Sequence, residues 1–248
     1  MPDQLKHNEE IRVLLLNPTS EEHNACKREL AKHAFKRLRV IPLLTQPGKI
    51  NAAFALTSHV LRLQAQGTAP HFVVCAGTSG SLSLELKSGD MVASASAIIS
   101  DYQMLTEEGT QLSVYGDLDF KAAILDDMYI KCPLPLVQEL ITRLGEQDFY
   151  TGNMLTSDTF VVGRENKLGL GKKFNCLTCD MESGAFAYIA QNKFKLPWFN
   201  LRVVADSLDE NVSHYEKMEE EMTKILGRHL ATALQTLDEL CVEQKTKE

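Results

Sequence analysis

The sequence predicts an α/β fold in a single domain, with a mixed, largely parallel central sheet flanked by helices. Short apolar runs that end in turn residues alternate with longer segments in which apolar residues recur at helical spacing. The chain has 248 residues, is 44% apolar and shows no linker, repeat or change of composition that would divide it. Residues 1–248 are therefore expected to share one core.

A strand and a helix form the first predicted unit. Residues 11–16 are a short, mostly apolar run, and Ser20 with the two acidic residues after it is typical of a helix start. The alternation continues with predicted strands at 38–44, 72–75, 91–100, 152–157, 176–181 and 199–205, and predicted helices at 49–66, 135–144, 182–193 and 215–241. Residues 102–131 fit neither pattern and are predicted to be a long loop or an insertion.

Charge and composition argue against several classes of partner. The formal net charge is −7 and the basic residues are scattered, so we expect no binding to nucleic acid or to an anionic membrane surface. No apolar run approaches the roughly 20 residues that span a bilayer. A cytoplasmic location is the expectation that follows.

The six cysteines are neither dense nor regularly spaced, which is typical of unpaired thiols in a reducing compartment. Cys176 and Cys179 form a Cys-x-x-Cys pattern that also occurs in zinc and redox sites. No second such pattern or histidine pair lies nearby, and residues three apart on a strand point to opposite faces. We therefore expect neither a metal nor a cofactor.

Several polar residues stand where predicted strands end, which is where parallel sheets hold their ligands. Asp206 follows the last predicted strand, where it could cap a turn or donate a proton from a dry pocket. Glu182 opens a predicted helix among small residues, and its carboxylate could accept hydrogen bonds from two adjacent hydroxyls. Glu22 follows the first strand, either as a first-turn helix acid or as a base that faces a pocket. His23 and His214 are alternative proton carriers near predicted helix starts.

The run from Ala76 to Ser81, Ala-Gly-Thr-Ser-Gly-Ser, follows another predicted strand. Such a glycine-rich turn can present backbone N–H groups and the Thr78 hydroxyl to a ligand, or it can simply be a tight turn. It falls one residue short of the Gly-x-Ser-x-Gly elbow of esterases, because Ser81 replaces the last glycine. That elbow leads directly into a helix, whereas a loop is predicted here, so an esterase is disfavoured.

The chain resembles the purine nucleoside phosphorylase and nucleosidase superfamily in four motifs: the region of Glu22 and the stretches 77–80, 180–185 and 202–206. These motifs are most similar to those of the 5′-methylthioadenosine/S-adenosylhomocysteine nucleosidases. The resemblance implies a nucleoside phosphorylase-like fold, a homodimer, and hydrolysis of the N-glycosidic bond of a small-molecule purine nucleoside.

The resemblance also implies a role for each candidate residue. Asp206 would protonate N7 of the base, and Glu22 would activate the attacking water, which Arg202 would help to hold. The other residues would bind the substrate: Glu182 at the ribose hydroxyls, Met181 against the sugar, Phe160 and Val161 at the purine, and Thr78, Ser79 and Gly80 in the glycine-rich turn.

Two departures from the family pattern concern the substrate. Ala205 stands where these nucleosidases usually carry a serine that would orient Asp206, and Thr19 replaces a methionine near the 5′ substituent. The base and the 5′ group therefore stay open. A phosphate-dependent phosphorylase is disfavoured because Cys75, not an arginine, precedes the glycine-rich run and because Glu22 would repel phosphate. A purine-nucleoside binding or sensing protein without turnover is a third possibility.

Overall fold

The computed structural model describes residues 10–116, 124–209 and 212–246, with side chains of the last helix described from Met218 to Glu243. The strands in these ranges are β1 Ile11–Asn17, β2 Leu38–Leu44, β3 Phe72–Ser81, β4 Met91–Ser94, β5 Ser96–Ile99, β6 Gln103–Thr106, β7 Gly109–Leu112, β8 Ile130–Lys131, β9 Phe149–Thr151, β10 Met154–Thr156, β11 Thr178–Asp180 and β12 Trp198–Asp206. The helices are α1 Ser20–Leu30, α2 Lys49–Ala65, α3 Leu125–Met128, α4 Pro135–Gly145, α5 Arg164–Phe174, α6 Ser183–Tyr188, continued by a π-helical turn Ile189–Lys193, and α7 Val212–Thr246.

Ten of the described strands form one mixed sheet. Along one path the strand order is β8-β5-β10-β11-β3-β12-β4-β9, and β1 joins the sheet through β3 with β2 outside it. Most neighbours are parallel, but β11 runs antiparallel to β3, β4 to β12 and β8 to β5. The predicted α/β class, with a mixed and largely parallel sheet, is confirmed.

Helices flank this sheet in two groups. Helix α7 packs against β12 and β3 and against α1 and α4, whereas α6 packs against β10 and β5 and against α2. The apolar core includes the large buried side chains of Phe72, Phe186, Trp198 and Phe199. The central strands β1, β3 and β12 are buried along almost their whole length, as expected where helices cover a sheet.

Two predicted segments differ from the observed elements. Residues 91–100 form two strands in place of one, because β4 pairs with β12 while β5 pairs with β10. The segment 102–131, predicted as a loop or insertion, contains the hairpin β6–β7, the short helix α3 and the edge strand β8. Its residues 117–123 lie outside the described part of the chain.

Two helices also differ from the prediction. Helix α5 has no counterpart in the sequence-based prediction, because Gly169 and Gly171 lower its helix propensity. Helix α1 begins at Ser20 itself, and the N-cap is Thr19, not Ser20 as predicted.

The glycine-rich run 76–81 is not a turn. β3 continues through it, paired with β12, so the predicted turn is wrong. Gly77 and Gly80 do not have positive φ angles. Their lack of a side chain instead lets the side chains of neighbouring residues lie close to the backbone of β3. A Cβ on Gly77 would lie 2.1 Å from Nη1 of Arg202, and one on Gly80 would lie 3.1 Å from Oδ2 of Asp206. The extended strand also rules out an esterase elbow, since β4 is the next element.

Candidate active site

The candidate site lies at a break in the strand pairing along one edge of β3. Residues 72–75 on that edge pair with β1, and Gly80 and Ser81 pair with β11. Between these two ladders, side chains meet the backbone of β3. Asn17, the last residue of β1, donates from Nδ2 to the carbonyl oxygen of Ala76 at 2.8 Å. The divergence of β1 and β11 thus exposes a stretch of β3 to functional side chains.

Glu22 reaches this edge from the first turn of α1. Its Oε2 accepts from the backbone N–H of Thr19 at 2.9 Å while its own N–H donates to Thr19 Oγ1, which is the reciprocal pattern of a capping box. Its Oε1 accepts from the backbone N–H and the hydroxyl of Thr78, at 2.7 and 2.9 Å. Glu22 is therefore a helix cap and, at the same time, a carboxylate fixed beside β3.

Asp180 organises the junction of β11 and α6. Its Oδ1 accepts from the backbone N–H groups of Glu182 and Ser183, at 3.1 and 3.0 Å, and its Oδ2 accepts from the Ser183 hydroxyl. These contacts satisfy the first donors of α6. Glu182 in turn accepts from the backbone N–H of Gly48, just before α2, at 2.9 Å. Burial raises the pKa of Glu182 to about 7, in spite of the Arg202 guanidinium nearby.

Arg202, fully buried on β12, joins these acids. Its Nε lies 2.8 Å from Asp180 Oδ2, and its Nη2 lies 3.5 Å from Glu182 Oε2. Burial favours the neutral form, but the anionic groups around the guanidinium, Asp180 first among them, keep the pKa of Arg202 above its ordinary value. Its Nη1 has no hydrogen-bond partner among the described residues. A Cβ on Gly77 would lie 2.1 Å from this nitrogen and 3.0 Å from Glu22 Oε1, so both atoms converge on one point.

Asp206 ends β12 and lies against Gly80 of β3. Its side chain is 4% exposed, and its Oδ2 contacts Nζ of Lys167 at 2.5 Å. The same ammonium donates to the carbonyl oxygen of Ser207 at 2.6 Å. Lys167 comes from α5 and has no exposed surface. The acid predicted from the sequence is therefore one half of a buried ion pair.

A cavity of about 320 Å³ connects these groups, which is within the range of small-molecule sites. Glu22 contacts Thr78 and Asp206 lies against Gly80, two residues of β3 that are about 7 Å apart along the strand. The lining residues are Pro18, Thr19, Glu22, Pro47, Thr78, Ser79, Gly80, Thr159, Phe160, Val161, Cys179, Asp180, Met181, Glu182, Asp206 and Glu219. Ser79 lines the cavity with a hydroxyl that has no hydrogen-bond partner among the described residues.

Nine of the ten residues predicted to act at the site line this cavity: Glu22, Thr78, Ser79, Gly80, Phe160, Val161, Met181, Glu182 and Asp206. Arg202 lies behind the wall, against two of the acidic lining residues. Sequence reasoning missed Asp180 as a positioning group, although it stands in a recognised motif, and missed Lys167, whose partner is 39 residues away. His23 is not among the lining residues, and the side chain of His214 lies outside the described part of the chain.

The described ranges offer neither a metal site nor a membrane-spanning helix. No cluster of three or more His, Cys, Asp or Glu side chains there is placed to hold a metal ion. All six cysteines are buried and unpaired. Cys179 lines the cavity, and burial raises the pKa of its thiol to about 12, so it is neutral near pH 7. No described helix combines the length and apolarity needed to cross a membrane.

The sequence matches the model of a known family. A family model described as the phosphorylase superfamily matches residues 3–238. The chain belongs to this superfamily. The membership confirms the superfamily expected from the four motifs.

Relatives of this superfamily member include nucleosidases. The 5′-methylthioadenosine/S-adenosylhomocysteine nucleosidase of Buchnera aphidicola subsp. Schizaphis graminum is 27% identical over 188 residues, which cover 74% of this chain and 73% of the relative. In fold, the chain is similar to the Helicobacter pylori nucleosidase of the same name, crystallised with butyl-thio-DADMe-Immucillin-A, with a TM-score of 0.72, 20% identity and coverage of 92% and 99%. The futalosine hydrolase of Helicobacter pylori gives a TM-score of 0.71, 21% identity and coverage of 94% and 98%. These relatives agree with the N-glycosidase class expected from the motifs.

Proposed function

We propose that this protein is a nucleosidase that hydrolyses the N-glycosidic bond of a purine nucleoside, with an adenine nucleoside such as methylthioadenosine or S-adenosylhomocysteine as the expected substrate. One observation carries the proposal: three buried carboxylates from separate elements, Glu22, Glu182 and Asp206, line a single cavity of suitable volume. Cleavage of such a bond passes through a sugar with oxocarbenium character. It needs an acid at the base, a grip on the sugar and a nucleophile.

Each carboxylate has a position that suits one of these tasks. In the proposed reaction Asp206 gives a proton to N7 of the base, which then accepts the electrons of the breaking bond as a neutral leaving group. Glu182 accepts hydrogen bonds from the ribose hydroxyls, and its charge favours the cationic sugar. Glu22 takes a proton from water as the water oxygen bonds to the anomeric carbon. The remaining contacts come from Met181 at the sugar, Phe160 and Val161 at the purine, and Thr78, Ser79 and Gly80 along β3.

The cavity favours water over phosphate as the nucleophile. Its described lining includes no lysine, arginine or histidine, whereas proteins usually bring such cations to a phosphate. The carboxylate of Glu22 would repel the anion. Nη1 of Arg202 and Oε1 of Glu22 converge on the same side of Gly77, within reach of one bridging water. This arrangement supports hydrolysis over the phosphorylase alternative, and an ordered acid and base support turnover over a binding protein.

The 5′ substituent is a separate question within this proposal. Thr19 lines the cavity, where the nucleosidases that the chain resembles carry a methionine, and Glu219 of α7 lines it as well. These groups favour a substituent more polar than a methylthio group. Futalosine therefore belongs among the substrates to be tested, because a futalosine hydrolase has a similar fold.

Variants of the acid and the base test the assigned roles. We expect Asp206→Asn and Glu22→Gln each to lower kcat/KM for base release at least about a hundredfold. Their matched controls are Asp209→Asn and Glu21→Gln, which change exposed carboxylates close by in the chain and should keep activity within about threefold. Full activity in either site variant would overturn its role.

We also propose that the protein assembles as a homodimer. Ile50, Phe54 and Leu61 of α2 are 81, 73 and 54% exposed and lie along one face of the helix. An apolar face of this kind marks an interaction surface. We expect the partner on this surface to be a second copy of the chain. The N–H of Gly48, just before α2, donates to Glu182, so a copy bound to α2 would help to hold Glu182 in position. The cytoplasmic location stays a prediction.

A further inference from the structure

Lys167 is a buried charge that the proposed reaction leaves without a task. Its side chain has no exposed surface, and its ammonium contacts the Asp206 carboxylate at 2.5 Å and the Ser207 carbonyl oxygen at 2.6 Å. Removing an ammonium from water is costly, so a lysine buried this fully needs a reason. We propose that Lys167 is a positioning residue that orients Asp206 and stabilises the carboxylate formed when Asp206 protonates the base. This inference rests on the proposed function of the site.

The contacts of Asp206 fix the plane of its carboxyl group. On one side, the ammonium of Lys167 donates to Oδ2. On another side lies the backbone of β3, where a Cβ added to Gly80 would be 3.1 Å from Oδ2 and 3.2 Å from Oδ1. Because Gly80 has no Cβ, the carboxyl group lies directly against the backbone of β3. An acid held in one orientation loses little entropy when the base arrives, which is the condition for efficient proton transfer.

The charge of Lys167 acts during the transfer itself. The reacting form is the one in which Asp206 carries a proton. This proton leaves an Asp206 oxygen for N7, the electrons of the O–H bond stay on Asp206, and the electrons of the glycosidic bond pass to the base. Negative charge therefore forms next to a fixed positive charge in a site shielded from water, where such an interaction is strong. The effect of Lys167 is to make Asp206 a stronger acid.

Helix α5 supplies, through Lys167, the hydrogen-bond donor to Asp206 that Ala205 cannot provide. Ala205 has no hydroxyl and is buried in the core, so the orienting donor comes from another element. The other ion pair between these segments, from Arg164 Nη1 to Asp209 Oδ2 at 2.6 Å, is exposed and contributes little. The loop just before α5 carries two lining residues at the expected purine position, so one continuous segment serves both the base and the acid.

Within the described part of the chain, the other titratable groups beside Asp206 at the cavity supply no positive charge. Cys179 of β11 is a neutral thiol, because burial raises its pKa to about 12. Asp180 and Glu182, at the junction of β11 and α6, and Glu219 of α7 line the same cavity and are acidic. Among these described groups, Lys167 is the one whose removal changes the electrostatic environment of Asp206 in the direction that weakens the acid.

Three variants separate the charge of Lys167 from its packing. Lys167→Met removes the charge and keeps a long unbranched side chain, Lys167→Arg keeps the charge, and Arg164→Gln removes the exposed ion pair of the same helix. With the nucleoside that the wild type cleaves, we expect Lys167→Met to lower kcat at least about tenfold and to raise the pH optimum of kcat/KM by about one unit, because Asp206 then keeps its proton to higher pH. Lys167→Arg and Arg164→Gln should keep the wild-type optimum.

A second substrate distinguishes proton transfer from general damage. The leaving group of 4-nitrophenyl riboside needs no proton, so Lys167→Met should cleave it at close to the wild-type rate. An unchanged pH optimum, or an equal loss with both substrates, would overturn the proposal and make Lys167 a structural residue.

The Asp206→Asn background covers the case in which Lys167→Met does not fold. The double variant carries no charge at either position, so neither group is left buried without a counter-charge. Adding Lys167→Met to Asp206→Asn should cost less than about threefold in the residual kcat, since Lys167 acts through Asp206. A loss of tenfold or more there overturns the proposal. Absence of base release by the wild type would overturn the proposed function and this inference together.

Discussion

The charge of Glu182 is expected to change with pH near neutrality. Burial raises its pKa to about 7, and the ionised form is the one that can accept the ribose hydroxyls. Below about pH 7 the ionised fraction falls about tenfold per unit, and kcat/KM should fall with it. The pH profile with 4-nitrophenyl riboside measures this, because that substrate removes the need for a protonated Asp206.

The variant Glu182→Gln checks the assignment. It should lower kcat/KM at about pH 8 at least a hundredfold and flatten the acid side of the profile. Asp158→Asn is its control, because Asp158 accepts from the backbone N–H of Lys49 at the start of α2 but is half exposed. A wild-type rate that stays constant down to about pH 5 would show that Glu182 is not the titrating group.

Strand β3 depends on a glycine where it meets the buried acids. A Cβ on Gly77 would lie 2.1 Å from Nη1 of Arg202 and 3.0 Å from Oε1 of Glu22, so Gly77→Ala must displace both. We expect Gly77→Ala to fold and to lose at least about a hundredfold in kcat/KM. Circular dichroism and base release measure the two effects.

Gly169→Ala is the matched control for that change. A Cβ on Gly169 of α5 would meet nothing within 4 Å, and the residue lies inside a helix. Activity should stay at the wild-type level, while stability should rise by about 0.5–1 kcal/mol from helix propensity, which shifts Tm by about 1–4 °C. Equal activity in the two alanine variants would contradict the role given to the edge of β3.

Local patterns in the sequence predicted most elements and those site residues that depend on near neighbours. The capping pair of Thr19 and Glu22 lies within one helical turn, and most strands follow from continuous apolar runs. Contacts distant in the chain were not predictable: Lys167 lies on a helix with poor propensity and meets its partner 39 residues away. The run 76–81 was misread because glycine serves both turns and close approach, and the choice depends on Arg202, more than a hundred residues later.

At the scale of the whole molecule, the exposed face of α2 is the predicted subunit interface. A charge at its centre should prevent association, so Phe54→Glu is expected to be a monomer where the wild type is a dimer. Leu105→Glu is the control, because Leu105 is 84% exposed on the separate hairpin β6–β7 and should leave the dimer intact. Light scattering coupled to size-exclusion chromatography measures the mass. A monomeric wild type, or a dimer that survives Phe54→Glu, would contradict the proposed interface.

Release of free base, with and without phosphate, tests the central claim most directly. The purified protein is incubated with adenosine, inosine, guanosine, methylthioadenosine, S-adenosylhomocysteine and futalosine, and the products are separated by chromatography. Because Glu22 lines the cavity and its described lining includes no lysine, arginine or histidine to hold phosphate, we expect base and free sugar from at least one nucleoside at a rate independent of phosphate. Release that requires phosphate and yields a sugar phosphate, or binding of every nucleoside without release, would contradict the account.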